Sequence, residues 1–495
     1  MWGRGESRLT RREMQMRKWL FTLTAVLALG TVTVSASAPS VGPIVNVTNS
    51  QFAGNEESLG MDSTGNLLAA AWNDWHYNDG CGFSYSTTGG ATWAPESFAP
   101  FTSFTNDPNV PGAGRFPIAG DPVVVWNPKF STFDVVCQSF GLSAHQVNLV
   151  ATTFDPSKAN AQANQNFSYG TQVGGAPAWT GLVSITTGTS NGSQKGSNGK
   201  FPDHNAGTVD TGTGPGHHFG RLYIAWAEFN GSGRSPIDVA YSDDNGASWT
   251  GPIRVSDAGH QFDQDATPRV GPDGTVYVSF INGPNEKSLN GNAALIAKSS
   301  DGGNTWSPSF AAAPIAVPPV GIPNALYRGG GDVTSTVDQR TGNVVVVFDE
   351  GSTGVGNLYS VHTLAPGDLS KWSAPLRIKA TTSTQFFPWL TSASNGRVDL
   401  AFYDRACDPN NVLVCVTLSS TSDDGATWSS LAVTSTGFDG DKFQACVAFV
   451  QPPNCGTFFI GDYIAVASTY KKAQVMWTGN GPQATDVFTA AVSFN

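Results

Sequence analysis

The sequence predicts an all-β fold assembled from repeats of a four-stranded unit, and three observations carry that expectation. A short pattern, Ser/Thr-x-Asp-x-Gly-x-Ser/Thr-Trp, occurs at 242–249 (SDDNGASW), 299–306 (SSDGGNTW) and 421–428 (TSDDGATW). A weaker copy stands at 86–93 (STTGGATW), with Thr88 in place of the Asp. Recurrence at wide, fairly regular spacing marks a repeat architecture. The flanks of the pattern read as strands, for example Ile237 to Tyr241 before the second copy, and Asp/Asn-Gly turns such as Pro272-Asp273-Gly274 lead into alternating apolar residues at Val276, Val278 and Phe280. Such turns are hairpin signals. Finally, 56 Gly and 30 Pro among 495 residues, with only 13% charged, suit a turn-rich β protein.

The pattern explains itself physically. Its Asp accepts hydrogen bonds from the backbone just ahead and closes a turn. Its Gly supplies a positive φ without a steric penalty. Its Trp buries a large ring while the indole N–H stays free to find a partner. The expected role is a hairpin turn with an aromatic anchor, stapling two strands of one blade. The pattern resembles the Asp-box of bacterial-neuraminidase repeats, found in sialidases and related β-propellers. That resemblance implies a propeller in which the boxes lie away from the active site.

The repeat is longer than the box. Comparable unit starts occur at Glu57, Asp121, Asp203, Asp265, Asp332, Phe387 and Asp462, which makes seven. Trp179 and Trp372 stand where degenerate boxes should end, so that six Trp anchors follow one another at spacings of 86, 70, 57, 66 and 56 residues. The last unit has three strands, and the segment 43–47 (PIVNV) resembles the fourth strand of other units. A seven-bladed propeller closed by this amino-terminal strand is therefore expected, because closure removes exposed sheet edges. A six-bladed ring with one irregular insertion is the alternative, since the sialidases it resembles have six blades. The Asn/Gly/Ser/Gln-rich stretch 155–200 reads as a long loop of the second blade.

Residues 1–38 read as an export signal: Arg8, Arg11, Arg12, Arg17 and Lys18 precede a sixteen-residue apolar run, 19–34, with small residues beyond it. This run is short for a membrane span, so residues 39–495 are expected to be a secreted or periplasmic propeller with no membrane span after signal removal. Six cysteines in an exported chain read as disulfides, and proximity suggests Cys407–Cys415, Cys446–Cys455 and therefore Cys81–Cys137. The net charge of −11 and the absence of a Lys/Arg-rich run in the mature part argue against a nucleic-acid partner. No HExxH, GxSxG elbow or P-loop is present, and no metal or other cofactor is expected. A monomer is expected.

In a propeller the first strand of each blade lines the central channel. Glu57, Asp121, Asp203, Asp265, Asp332 and Asp462 would then approach one rim, where clustered carboxylates can serve as acid and base. The simpler reading is that each caps its own blade's backbone. Second-strand ends add Asp74-Trp75, Glu228, Asp349-Glu350 and Asp404-Arg405. The sialidase resemblance implies three arginines on a substrate carboxylate, a Tyr nucleophile paired with a Glu, and an Asp acid/base; the Tyr nucleophile sets sialidases apart from most glycosidases, and guanidinium forks match carboxylates. By position, Tyr463 is the candidate nucleophile, Glu350 or Glu228 its partner, and Asp121 or Asp265 the acid. Arg115, Arg269, Arg328 and Arg405 are the candidate substrate-binding arginines. The resulting expectation is an exo-α-sialidase-type glycosidase acting on the terminal acidic sugars of a glycan or glycoprotein. The alternative is a non-catalytic propeller that binds glycan or protein.

Overall fold

The computed structural model describes residues 38–494, except 51, 76–79, 103–115, 142–145, 160–177, 190–198, 284–291, 317, 319–320 and 446–457. The chain divides into two units, residues 1–38 with 495 and residues 39–494, and the propeller is the second. The export signal, Arg115 and the expected Cys446–Cys455 pair lie outside the described residues.

Seven antiparallel sheets form a seven-bladed β-propeller. Blades 1 to 6 are four-stranded and span 54–98, 118–189, 201–254, 263–314, 333–377 and 385–432. Blade 7 consists of Ala465–Thr469, Lys472–Asn480 and Thr485–Ser493, completed by Ser40–Val41 and Val45–Asn46. Val45 lies opposite Thr489 and Ser40 opposite Ser493, so the amino-terminal strand closes the ring as expected. The helical content of the described residues is two short 3₁₀ turns, Pro156–Lys158 and Arg405–Cys407. No described helix is long and apolar enough to cross a membrane. The stretch 155–200 is not all loop: Val183–Thr189 is the fourth strand of blade 2, paired with Gln146–Phe154.

The core lies between blades rather than within them. Each apolar cluster joins two neighbours, as when Phe83 and Cys81 of blade 1 meet Val135 and Phe133 of blade 2. The same holds around the ring, and the last cluster joins Trp72 and Leu68 of blade 1 to Met476 and Val487 of blade 7.

The Asp-boxes are turns, as their residues predict. Asp244 accepts hydrogen bonds from Ser248 N (2.8 Å) and Ser248 Oγ (2.5 Å). Asp301 accepts from Thr305 N (2.9 Å) and Asp423 from Thr427 N (2.9 Å). In the weak copy the Thr88 hydroxyl accepts from Thr92 N at 2.9 Å, doing the same work without charge. The glycines at the turn are left-handed, with φ of 84°, 76°, 94° and 87° at Gly90, Gly246, Gly303 and Gly425. The degenerate box at Trp372 keeps the indole bond, Trp372 Nε1 to Leu369 O at 2.8 Å, which matches Trp306 Nε1 to Gly303 O at 3.2 Å. The box joins the paired third and fourth strands of its own blade, as expected, and its Trp reaches the preceding blade as well. Trp249 packs on the core shared by blades 2 and 3, Trp306 on that of blades 3 and 4, and Trp428 on that of blades 5 and 6.

Carbonyls of these turns, and of the first hairpin turns of blades 7 and 1, are capped by cations of the blade before. Arg221 Nη1 donates to Gly302 O (2.8 Å), Lys298 Nζ to Gly367 O (2.6 Å) and Arg340 Nη2 to Ser422 O (3.2 Å). Lys129 Nζ reaches Asp243 O at 3.4 Å. Arg397 donates to Tyr470 O (2.8 Å) and Thr469 O (2.9 Å) of blade 7. Lys472 closes the circle on Gly65 O (2.8 Å) and Gly89 O (2.9 Å) of blade 1. The junction from blade 1 to blade 2 carries a covalent tie instead, Cys81–Cys137, as the cysteine arithmetic expected. Cys407–Cys415 is also formed, across a loop of blade 6.

Replacing Cys81 and Cys137 together by Ser removes a crosslink spanning 56 residues. The expected loss is about 2–4 kcal/mol of unfolding free energy, read from urea titration under oxidising conditions.

Candidate functional site

The seven first strands surround a central channel of about 770 Å³, lined by residues of every blade. At the mouth where these strands begin, five of them carry the same distortion. The pairing register slips between Asn55 and Ser58, Gly120 and Val123, Asp203 and Ala206, Gln264 and Thr267, and Phe386 and Trp389. Within each slip one non-glycine residue has positive φ: Glu56 (56°), Asp121 (48°), His204 (55°), Asp265 (60°) and Phe387 (50°). A bulge inserts one residue and re-aims its side chain. A positive φ outside glycine persists only where surrounding contacts hold it.

These contacts form a chain around the mouth. Asp462 N of blade 7 donates to Glu56 Oε1 (3.0 Å), and Asn73 Nδ2 donates to Glu56 Oε2 (2.5 Å). Asp121 N of blade 2 donates to Asn73 Oδ1 (2.7 Å), and Asn205 Nδ2 of blade 3 to Asp121 O (2.9 Å). His204 Nδ1 lies 2.9 Å from Asp265 Oδ1 of blade 4, and Asp265 Oδ2 accepts from Val333 N of blade 5 at 3.3 Å.

The electrostatics are dominated by crowded carboxyl groups. Burial, then the nearby Asp121 and Asp462, push Glu56 well above the usual carboxylate range. Asp121 is pushed up to about 6, by burial first and then by repulsion from Asp203, while the His204 charge opposes the rise. Burial and Asp265 hold Asp332 well above its usual range. Burial opposes the charge on His204, yet Asp265, Asp203 and Asp462 outweigh it and push the imidazole up to about 10. Tyr463 stands edge-on to His204, ring centroids 4.9 Å apart. Burial, then Asp121 and Glu56, hold its phenol well above 10. Arg328 forms a bidentate pair with Asp462 and lies 4.9 Å over the Phe459 ring.

The structure thus gathers Asp121, Asp203, Asp265, Asp332, Asp462 and Tyr463 at one mouth, as the strand starts suggested. Glu57 lines the channel but turns its carboxyl group away. Its neighbour Glu56 takes the ring position, and Glu57 Oε2 accepts from Thr478 Oγ1 of blade 7 at 2.9 Å, with 3% of the residue exposed. Glu350 does not join Tyr463: its carboxylate caps its own turn through Ser352 N (3.0 Å) and Ser352 Oγ (2.7 Å). Glu228 also stays elsewhere, buried beside Trp226 Nε1 at 3.3 Å. The arginines do not converge. Arg328 alone of the described candidates stands at the mouth. Arg269 lies farther along its strand, donating to Pro268 O (2.8 Å) and Leu390 O (2.8 Å). Arg405 is fully buried and donates to Val412 O (2.8 Å), Pro323 O (2.6 Å) and Asn324 O (3.3 Å), which anchors the segment that carries Arg328. Glu56, His204 and Asn73 were missed by sequence reasoning. The available signal was the doublets Glu56-Glu57 and Asp203-His204, which one inserted residue shifts in phase. Among the described residues no group of three His, Cys, Asp or Glu side chains is placed to hold a metal ion.

No protein-family model and no curated protein matches the sequence. Among solved structures, similarity is found to a protein of unknown function from Dyadobacter fermentans, with 13% identity over 92% of this chain and 99% of that one, TM-score 0.48. The Hadza microbial sialidase Hz136 is 14% identical over 88% of this chain, TM-score 0.45. Trypanosoma rangeli sialidase, in complex with the inhibitor DANA, is 13% identical over 75% of this chain, TM-score 0.42. The matched part is 65% and 58% of the two sialidase chains.

Burial pushes Glu57 up from 4.5 to about 8. Between those values the folded chain keeps a proton that the unfolded chain releases, so Glu57 lowers stability as pH rises through that window. Glu57→Gln has no proton to lose and keeps an acceptor for Thr478. Its melting temperature should equal that of the parent near pH 4 and exceed it by roughly 2–5 °C at pH 8, measured by scanning calorimetry.

Proposed function

We propose that this protein is a glycan-active hydrolase whose acid/base machinery is the carboxyl pair Glu56–Asp121 at the mouth of the channel. The observation that carries the reading is a pair of carboxyl-bearing residues tied together through Asn73, which donates to Glu56 Oε2 and accepts from Asp121 N, in surroundings that push the two carboxyl groups to different degrees, with Asp121 at about 6 and Glu56 well above its usual range. Two carboxyl groups, one holding a proton and one without, are what glycosidic cleavage requires. Glu56 gives its proton to the leaving oxygen as the bond to the anomeric carbon breaks. Asp121 takes the proton of the incoming nucleophile, which is either a water molecule or the Tyr463 phenol. Arg328, with 55% of its side chain exposed, is the cation a substrate meets first.

The narrower exo-α-sialidase form needs a set of arginines on the substrate carboxylate. The described mouth offers Arg328, already engaged by Asp462, amid a majority of acidic groups. This balance favours neutral or amino-bearing sugars over sialic-type acids. The proposed setting is an extracellular or periplasmic one, reached through residues 1–38 as a signal. The two disulfides fit an oxidising compartment.

A panel of fluorogenic glycosides, α-sialosides included, tests the reading. The active substrate should give a bell-shaped pH dependence of kcat/KM whose acid limb lies near pH 6, since Asp121 must be ionised and Glu56 protonated. Asp121→Asn and Glu56→Gln should each lower kcat roughly 100-fold or more. Tyr463→Phe separates the nucleophiles: loss of turnover assigns the phenol, and retained turnover assigns water. If no glycoside is cleaved by folded protein while a glycan array shows binding, the chain is a non-catalytic lectin-like propeller.

A further inference from the structure

We propose that Asn73 is a positioning residue for the Glu56–Asp121 pair, setting both its geometry and the pH at which it works; this rests on the hydrolase reading above. Asn73 is the last residue but one of Leu68–Asp74, the second strand of blade 1. Its amide spans two blades. Nδ2 donates to Glu56 Oε2 at 2.5 Å and Oδ1 accepts from Asp121 N at 2.7 Å. An uncharged amide can donate to a carboxyl group from its nitrogen and accept from a backbone N–H on its oxygen at the same time.

The repeat supplies an internal control. Asn73 pairs with Asn55 at the last rung before the bulge, and the same rung is occupied by Gln138, Ala227, Ile281 and Tyr403 in blades 2, 3, 4 and 6. Ala227 and Ile281 form the same bulge with no polar side chain at all, so the fold does not demand an amide there. Gln138 reaches only a backbone carbonyl, Pro202 O at 2.5 Å. At Asn73 alone, among these, the side chain meets a carboxyl group of the mouth and the backbone of a second one. The left-handed φ is common to these bulges, so what the amide adds is a tie between the Glu56 carboxyl group and the Asp121 backbone. Gly120 fits the same arrangement, because a Cβ there would stand 3.0 Å from Asn73 Oδ1.

The consequence is specific. With the amide in place, Asp121 N is fixed and its carboxyl group faces Glu56. Without it, the Asp121 backbone N–H loses its acceptor and the Glu56 carboxylate loses a donor, so the charged form of Glu56 becomes less favourable still.

The test uses Asn73→Ala, which matches the residue found in blade 3, and Asn73→Asp, which keeps the acceptor but removes the donor and adds charge. Two readouts are taken on the purified full chain. The first is the pH titration of the protonated-carboxyl C=O band by infrared difference spectroscopy, with Glu56→Gln and Asp121→Asn as assignment controls. The second is the pH profile of kcat and KM on whichever glycoside the parent cleaves. Asn73→Asp should move the carboxyl titration upward by about one pH unit. Asn73→Ala should lower kcat about 10- to 100-fold with KM changed less than threefold. Both variants should keep the parent's melting temperature within a few degrees. A carboxyl titration identical to the parent's in both variants overturns the proposal. The infrared readout needs no turnover, so an inactive parent sinks the hydrolase reading while leaving the role of Asn73 decided by the titration.

Discussion

The ring depends on the contact between one blade's box turn and the blade before it. A propeller blade cannot bury its faces alone, and its stability is a sum over junctions between neighbours. Here the junction has three parts. The box Trp packs on the core shared with the preceding blade, as Trp249 and Trp306 show. The turn's carbonyls accept from a Lys or Arg of that blade, as Gly302 O does from Arg221. Apolar residues of both sheets fill the space between. A cation on a backbone carbonyl is a charge-assisted bond of fixed direction, so each latch sets the angle between two sheets as well as holding them together.

The same geometry separates stability from chemistry. Boxes and latches occupy the rim where first strands end and third strands turn. The carboxyl groups gather on the opposite rim, where first strands begin. Burying and crowding carboxyl groups there opposes folding, and the raised pKa values of Glu56 and Asp332 record that opposition. The latched rim supplies the rigidity that lets the crowded rim persist, an arrangement in keeping with the general pattern that strained sites are held by their surroundings.

The architecture was legible in the sequence because its signals are local. Asp, Gly and Trp at fixed spacing specify a turn whatever lies around them, and even the degenerate box before Trp372 keeps its indole bond. The closing strand at 43–47 was legible for the same reason, by likeness to other fourth strands. The site was legible only as a neighbourhood. Its side chains are aimed by bulges, and a bulge at Glu56 or Phe387 leaves no glycine to announce it. One inserted residue exchanges Glu57 for Glu56 and brings His204 in beside Asp203. The arginines were beyond reach for another reason: Arg405 looks like any strand-end cation until the segment at Pro323 and Asn324 folds over it.

The repeated bulge also bears on how such a mouth can change. At each bulge one side chain is turned out of the strand's alternation, and its neighbours keep their own pairing. Glu56, Asp121, His204, Asp265 and Phe387 fill five equivalent sockets with an acid, a base and an aromatic ring, on one unchanged backbone. A single substitution at a socket therefore alters the chemistry of the opening without disturbing the blade that carries it. The propeller works as a keyboard in which each blade holds one key, and the ring beneath need not be rebuilt when a key is replaced.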